Sequence, residues 1–260
     1  MIRPSSSMKL PRRARRRARV RSMRSMQRSY GMGAYTLAMF DRYRMRHTGT
    51  SLPRLLFYDL WRESILLFFR IVHRHRRVDV LNVPRTGPVL LVANHASFYD
   101  PPAVGSGIRH RHADYLARAS LFKFKPFGWL ITMLNSTPIK QGAGDTGAMK
   151  ATIEKMKQGR LMLVFPEGSR SDDGEVQQFQ RGIAVLLKRA HCQIVPVGIS
   201  GAYEAWPRRQ KLPVPFRDKI VVCFGEPISS DELMEAGTEA ALSTLRDRVI
   251  ELKQKAESMR

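Results

Sequence analysis

The feature that most constrains this chain is Val89–Ala93, an apolar run of strand length with a β-branched share, followed at once by Asn94 and His95. Such a run reads as a buried strand that delivers an imidazole where it ends. Asp100 follows, and Pro101 and Pro102 after it read as the first turn of a helix with Asp100 at its boundary. A base and a carboxylate then face each other across one turn. A histidine backed by a carboxylate is a recurring device for taking a proton from a hydroxyl, because the carboxylate fixes the tautomer and stabilises the imidazolium. The same residues also fit a plainer reading, in which Asp100 is a helix N-cap and Asn94-His95 closes a loop.

A second buried-strand run, Leu-Met-Leu-Val-Phe at 161–165, ends in Pro166-Glu167-Gly168-Ser169-Arg170-Ser171. It sets a carboxylate, a flexible glycine and a guanidinium at another strand end. Further on, Phe179-Gln180-Arg181-Gly182 opens a helical stretch, and Ile194-Val195-Pro196-Val197-Gly198-Ile199 reads as a third buried strand.

In order and content, residues 78–228 resemble the glycerolipid acyltransferase family, which includes the lysophosphatidic acid acyltransferases. The pairing of the His95-to-Asp100 block with Phe-Pro-Glu-Gly-Ser-Arg-Ser carries the resemblance. It implies that His95 is general base on an acceptor hydroxyl and that Asp100 supports it. It implies that Glu167, Gly168, Ser169 and Arg170 help bind a phosphorylated glycerol acceptor, and that the strand around Pro196 lies near the active site. One block departs from the family pattern. Where a proline is usually followed by a hydrophobic residue, any residue and arginine, the chain reads Pro138-Ile139-Lys140-Gln141. The arginine position is therefore Gln141, with Lys140 beside it as a point charge in place of a bidentate fork. The implied reaction moves a fatty acyl group from acyl-CoA or acyl carrier protein to the hydroxyl of 1-acylglycerol 3-phosphate, with no cofactor beyond the acyl donor. The departure at Gln141 leaves open another lysolipid, such as a lyso-aminolipid or lysophospholipid, or glycerol 3-phosphate as acceptor.

The chain has 260 residues and can bury one good core. Lys and Arg outnumber Asp and Glu by 45 to 22, giving a formal charge of +23, which points to polyanionic partners. Eleven of those cations lie between Arg3 and Arg28 with no acid among them, which leaves +12 for the rest. Residues 1–34 are therefore expected to be a disordered basic tail. A solvated extension, a polybasic membrane tether, a nucleic-acid arm and a transit peptide all fit its composition. No apolar segment with a cleavage site appears, so secretion is not expected.

Residues 35–77 turn apolar. Leu55, Leu56, Phe57, Leu60, Trp61, Ile65, Leu66, Leu67, Phe68, Phe69 and Ile71 crowd a helical stretch interrupted by Arg54, Asp59, Arg62, Glu63 and Arg70. A spanning helix needs about 20 mostly apolar residues, and this stretch is too broken. It reads as an amphipathic element lying on an anionic membrane surface, or packed on the catalytic core. A peripheral protein on the cytoplasmic face, in contact with membrane lipids and not nucleic acid, is expected. A basic and aromatic mixture, Lys123, Lys125, Phe127 and Trp129, reads as packing or as a contact to acyl-carrier or head-group phosphates.

Gly142-Ala143-Gly144-Asp145-Thr146-Gly147 matches the dinucleotide fingerprint literally. The segment before it, Ser136 to Gln141, is a poor buried strand whose Pro138 removes a ladder donor, which argues against that site. No Gly-x-Ser-x-Gly elbow exists. Cys192 and Cys223 read as core thiols in a reducing compartment. The His73/His75 and His110/His112 pairs read as solvated basic faces, so no metal is expected. A helix over 238–259 turns Leu242, Leu245, Val249 and Leu252 inward. The expected fold is α/β, a mixed sheet flanked by helices, with residues 78–260 as the catalytic domain. A non-catalytic basic protein that binds nucleic acid or membranes remains the reading from another class.

Overall fold

The structure is a computed structural model that describes residues 49–140 and 145–260. The tail expected at 1–34, the first part of the 35–77 element, Gln141 and residues 142–144 lie outside the described residues.

The strands are β1 (Arg76–Val78), β2 (Val89–Ala93), β3 (Ala113–Arg118), β4 (Ser136–Ile139), β5 (Leu161–Val164), β6 (Gln193–Ser200), β7 (Val221–Phe224) and β8 (Ile228–Ser229). The helices are α1 (Leu52–His73), α2 (Asp100–Gly107), α3 (Lys125–Met133), α4 (Thr146–Lys157), α5 (Ile183–Ala190), α6 (Ala202–Ala205), α7 (Ser230–Glu235) and α8 (Thr238–Glu257). The strands form one sheet in the order β1-β7-β6-β2-β5-β3-β4, with β8 on β6. β2 pairs in parallel with both β5 and β6, whereas β7 and β8 run antiparallel to β6. The mixed sheet expected from the sequence is the one observed.

β2 is apolar throughout because both of its faces are covered. Val89, Leu91 and Ala93 join a cluster with Phe69 of α1 and Ala103 and Val104 of α2. Leu90 and Val92 point the other way, into a cluster with Met156 of α4, Leu186 of α5, and Leu245 and Val249 of α8. α8 lies directly on β6. A Cβ added to Gly198 would stand 2.2 Å from the main chain of Leu252 and Lys253, so only glycine allows that approach.

The helix expected in the 35–77 element is α1, and it has two apolar sides. Leu55, Tyr58, Leu66 and Phe69 are buried, while Leu56, Leu60, Leu67, Phe68 and Ile71 are exposed. Asp59, Arg62 and Glu63, charges that interrupt its sequence, pair with one another. Asp59 meets buried Arg62 at 2.7 Å and the Nε2 of His112 at 2.8 Å. No helix among the described residues is long and apolar enough to cross a membrane.

The reading of the histidine pairs as solvated faces is corrected. His73, His75 and His112 are all buried. His73 and His75 sit against the Phe69 ring, with centroids 6.1 and 5.7 Å away. Burial, aided by the nearby Arg77, Arg70 and His73 charges, lowers the pKa of His75 to about 3, which keeps it neutral. His-Arg-His looks basic in sequence, but the alternation places the rings inward and the intervening Arg74 at a left-handed helix end.

Candidate active site

β2 ends at Ala93, and the chain turns through Asn94–Tyr99 into α2. Asn94 anchors the turn, its Nδ2 donating to the Ile199 carbonyl at 3.0 Å and its Oδ1 accepting from the Ile199 N–H at 2.8 Å. The turn brings His95 and Asp100 together. Nδ1 of His95 lies 2.8 Å from Oδ2 of Asp100, and the same oxygen accepts the Ala96 and Ser97 N–H groups at 2.7 Å each. The two readings of Asp100 thus merge, since the carboxylate closes the turn before its helix and also holds the imidazole. With Nδ1–H given to Asp100, Nε2 carries the free lone pair. The His95 side chain is 19% exposed while that of Asp100 is 1% exposed, so the imidazole is partly open to solvent and the carboxylate behind it is not.

The segment after β5 wraps the same turn. The Phe165 ring stacks on His95 at 4.1 Å with a 23° interplanar angle. Oε1 of Glu167 accepts the His95 N–H at 2.7 Å, Oε2 accepts the Gln177 N–H at 3.2 Å, and the Ser171 N–H donates to the His95 carbonyl at 2.7 Å. Gly168 supports this path with φ +72°, a left-handed conformation that favours glycine. The Glu167 side chain, expected from the resemblance to help bind the acceptor, is buried. The residue is 4% exposed and both oxygens are taken by main-chain donors. Burial raises its pKa to about 8, with the Asp100 charge pushing the same way and the two N–H donors and Arg246 opposing.

Arg170 is the half-buried cation of the segment. Its guanidinium lies 3.4 Å above the centroid of the half-exposed Phe98 ring, a cation–π arrangement, and its Nη1 has no hydrogen-bond partner. Desolvation lowers its pKa, followed by the nearby charges of Arg208 and Arg118. Arg208 arrives through a bridge between Ser97 and Pro207 and donates to the Arg170 carbonyl at 2.9 Å. Arg118 ends β3. The mouth of the site therefore gathers three guanidinium groups, with Asp172 as a partly compensating acid.

Gly168 and Ser169 lie beside Arg170 on the same loop. Pro196 is placed on β6 opposite Val92, in the interval where neither β7 nor β8 pairs with the strand. Its missing donor therefore breaks no antiparallel ladder bond. Lys140 is exposed just beyond β4, an edge strand separated from β2 by β5 and β3 and so about 14 Å away at the usual strand spacing. Ser136 to Ile139 is thus a strand, but an edge one, where Pro138 is tolerated. Residue-type reasoning missed Asn94, Phe98, Arg118 and Arg208. Arg118 and Arg208 had only charge as a signal, in a chain full of it. Among the described residues no group of three or more His, Cys, Asp or Glu side chains is placed to hold a metal.

Residues 76–200 match a family profile described as Acyltransferase. The chain is 26% identical over 199 residues to a 1-acyl-sn-glycerol-3-phosphate acyltransferase of Streptococcus pneumoniae, covering 75% of this chain and 70% of that one. It is 28% identical over 124 residues to a lyso-ornithine lipid O-acyltransferase of Pseudomonas aeruginosa, covering 47% of each. The fold is similar to the crystal structure of the 1-acyl-sn-glycerophosphate (LPA) acyltransferase PlsC of Thermotoga maritima, with a TM-score of 0.64 and 21% identity, over 96% of this chain and 98% of that one.

Proposed function

We propose, from the match of residues 76–200 to the acyltransferase profile, that the protein transfers a fatty acyl group from a thioester to the free hydroxyl of 1-acylglycerol 3-phosphate, giving phosphatidic acid. The observation that carries the reading is the 2.8 Å contact of His95 Nδ1 with Asp100, which leaves Nε2 as base. Nε2 takes the acceptor hydroxyl proton as that oxygen bonds to the thioester carbonyl carbon. The tetrahedral intermediate then expels the thiolate, which takes the proton back from the imidazolium. No covalent enzyme intermediate is needed. Asp100 holds the tautomer, and Arg170, with Arg118 and Arg208 adding to the field, receives the acceptor phosphate. Gly168 and Ser169 shape the loop that carries Arg170. The donor is acyl-CoA or acyl carrier protein.

The protein works on a membrane surface. The exposed Leu56, Leu60, Leu67 and Ile71 of α1, together with Phe124 and Trp129, support this, since apolar side chains on a basic protein suit an anionic bilayer surface. A lyso-aminolipid acceptor is the second reading, favoured by the similarity to the lyso-ornithine lipid enzyme and by Gln141 at the arginine position.

Thiol release from oleoyl-CoA by the purified protein in mixed micelles tests the proposal. Release is expected to require 1-acylglycerol 3-phosphate. Release that needs a lyso-ornithine lipid instead supports the second reading, and release with no dependence on any acceptor overturns both.

A further inference from the structure

We infer that Glu167 is a positioning residue: it fixes the main chain that carries the base, and so sets where Nε2 of His95 stands, without binding the acceptor. The inference rests on the acyl-transfer reading above and assigns one of its residues a different task.

Three consecutive amides of the catalytic turn end on carboxylates. The His95 N–H goes to Glu167, and those of Ala96 and Ser97 go to Asp100. The His95 carbonyl is held in turn by the Ser171 N–H. The peptide groups on both sides of the base are therefore bound to neighbouring carboxylate and amide groups, and its ring rests on Phe165. The first of these bonds crosses from the loop after β5 to the turn after β2. The second oxygen of Glu167 extends the link to Gln177, so one buried side chain ties together two loops and the base.

Chemistry also argues against an acceptor role. A side chain 4% exposed with both oxygens bonded presents little to a ligand. Arg170, between the anchors at Glu167 and Ser171, is a cation with an unpartnered nitrogen. The short motif thus divides its labour: Phe165, Glu167 and Ser171 hold the base, and Arg170 meets the substrate. Displacing a reacting group by about 1 Å costs on the order of 100-fold in rate, which makes a main-chain clamp at His95 a kinetic feature as well as a structural one.

The test compares wild type, Glu167→Ala, Glu167→Gln and Arg170→Ala in micelles with oleoyl-CoA and varied 1-acylglycerol 3-phosphate. Hydrogen exchange over residues 94–98 is measured in the same proteins without substrate. Glu167→Ala is expected to lose on the order of 100-fold in kcat with acceptor KM changed by no more than about twofold, and to exchange faster at residues 95–97 while β2, β5 and β6 keep their protection. Glu167→Gln, whose amide oxygen still accepts the His95 N–H, is expected to recover part of both. Arg170→Ala is expected to raise KM and leave exchange at 95–97 unchanged. A Glu167→Ala protein with raised KM and unaltered kcat overturns the inference, as does one with unaltered exchange at 95–97. Should Glu167→Ala exchange throughout as an unfolded chain, the same two outcomes in Glu167→Gln decide. Should wild type fail to use this acceptor, the acyl-transfer reading of the substrate fails, while the exchange result still decides whether Glu167 clamps the turn.

Discussion

The side-chain amide of Asn94 forms a two-point bond with the main chain of Ile199, donating to its carbonyl at 3.0 Å and accepting from its N–H at 2.8 Å. It therefore pins the turn that carries His95 to the neighbouring strand β6, with both residues buried. Asn94→Ala leaves a buried N–H and a buried carbonyl without partners and is expected to cost about 1–3 kcal/mol. Urea unfolding checks this by a lower midpoint at unchanged slope. Asn94→Asp, which can accept but not donate, is expected to be no better.

His95→Ala is expected to lower kcat by about 10²- to 10⁴-fold, the usual range for a general base. Its thermal midpoint is expected to stay near that of wild type, because the turn is held by main-chain bonds and not by the ring. A variant that keeps most of its turnover would remove His95 from the chemistry.

Arg170→Ala is expected to raise acceptor KM, since a charge-assisted bond to phosphate is worth about 1.5–3 kcal/mol, roughly 10- to 150-fold in affinity. The loss is expected to vanish when the acceptor lacks its phosphate, as in a monoacylglycerol. Lys140→Ala is expected to change KM less, because Lys140 stands beyond the edge strand β4. Steady-state kinetics with both acceptors in all three proteins reads the difference.

The raised pKa of Glu167, about 8 against an ordinary 4.5, makes its contribution to stability pH-dependent. The fold binds this proton more tightly than the unfolded chain does. Its contribution is therefore fully present below about pH 4.5 and is lost as pH rises through about 8. His75 acts in the opposite sense, since its folded pKa of about 3 costs stability as pH falls below about 6.5. The difference in unfolding free energy between wild type and Glu167→Gln cancels the histidine and isolates the carboxyl, which faces Asp100 and Arg246 as well as the two main-chain donors. That difference is expected to move against wild type as pH is raised from about 5 to about 9. A flat difference contradicts the assignment.

The central strands were legible because their residues repeat one signal: Val89–Ala93, Leu161–Val164 and the run around Pro196 are apolar on both faces, and β-sheets covered by helices demand that. His95, Asp100 and Arg170 were legible as residue types at strand ends. The tasks within the second motif were not. Glu167 and Arg170 are both charged residues near one glycine, and only the folded chain shows that one bonds the main chain of His95 while the other lies over the Phe98 ring. The buried histidines were misread for a related reason. His75 is flanked by Arg74 and Arg76, and charge in sequence says nothing about which side of an extended segment meets Phe69. Asn94 reads in sequence only as a turn residue, because its partner is a main chain 105 residues away.

The order of strands has a consequence for how such a protein can diversify. The base stands after β2 in the middle of the sheet, locked by bonds to neighbouring loops, while Arg118 and Lys140 stand at the ends of β3 and β4 toward the margin. On the reading proposed above, substitutions at that margin leave the His95–Asp100 contact in the middle of the sheet undisturbed.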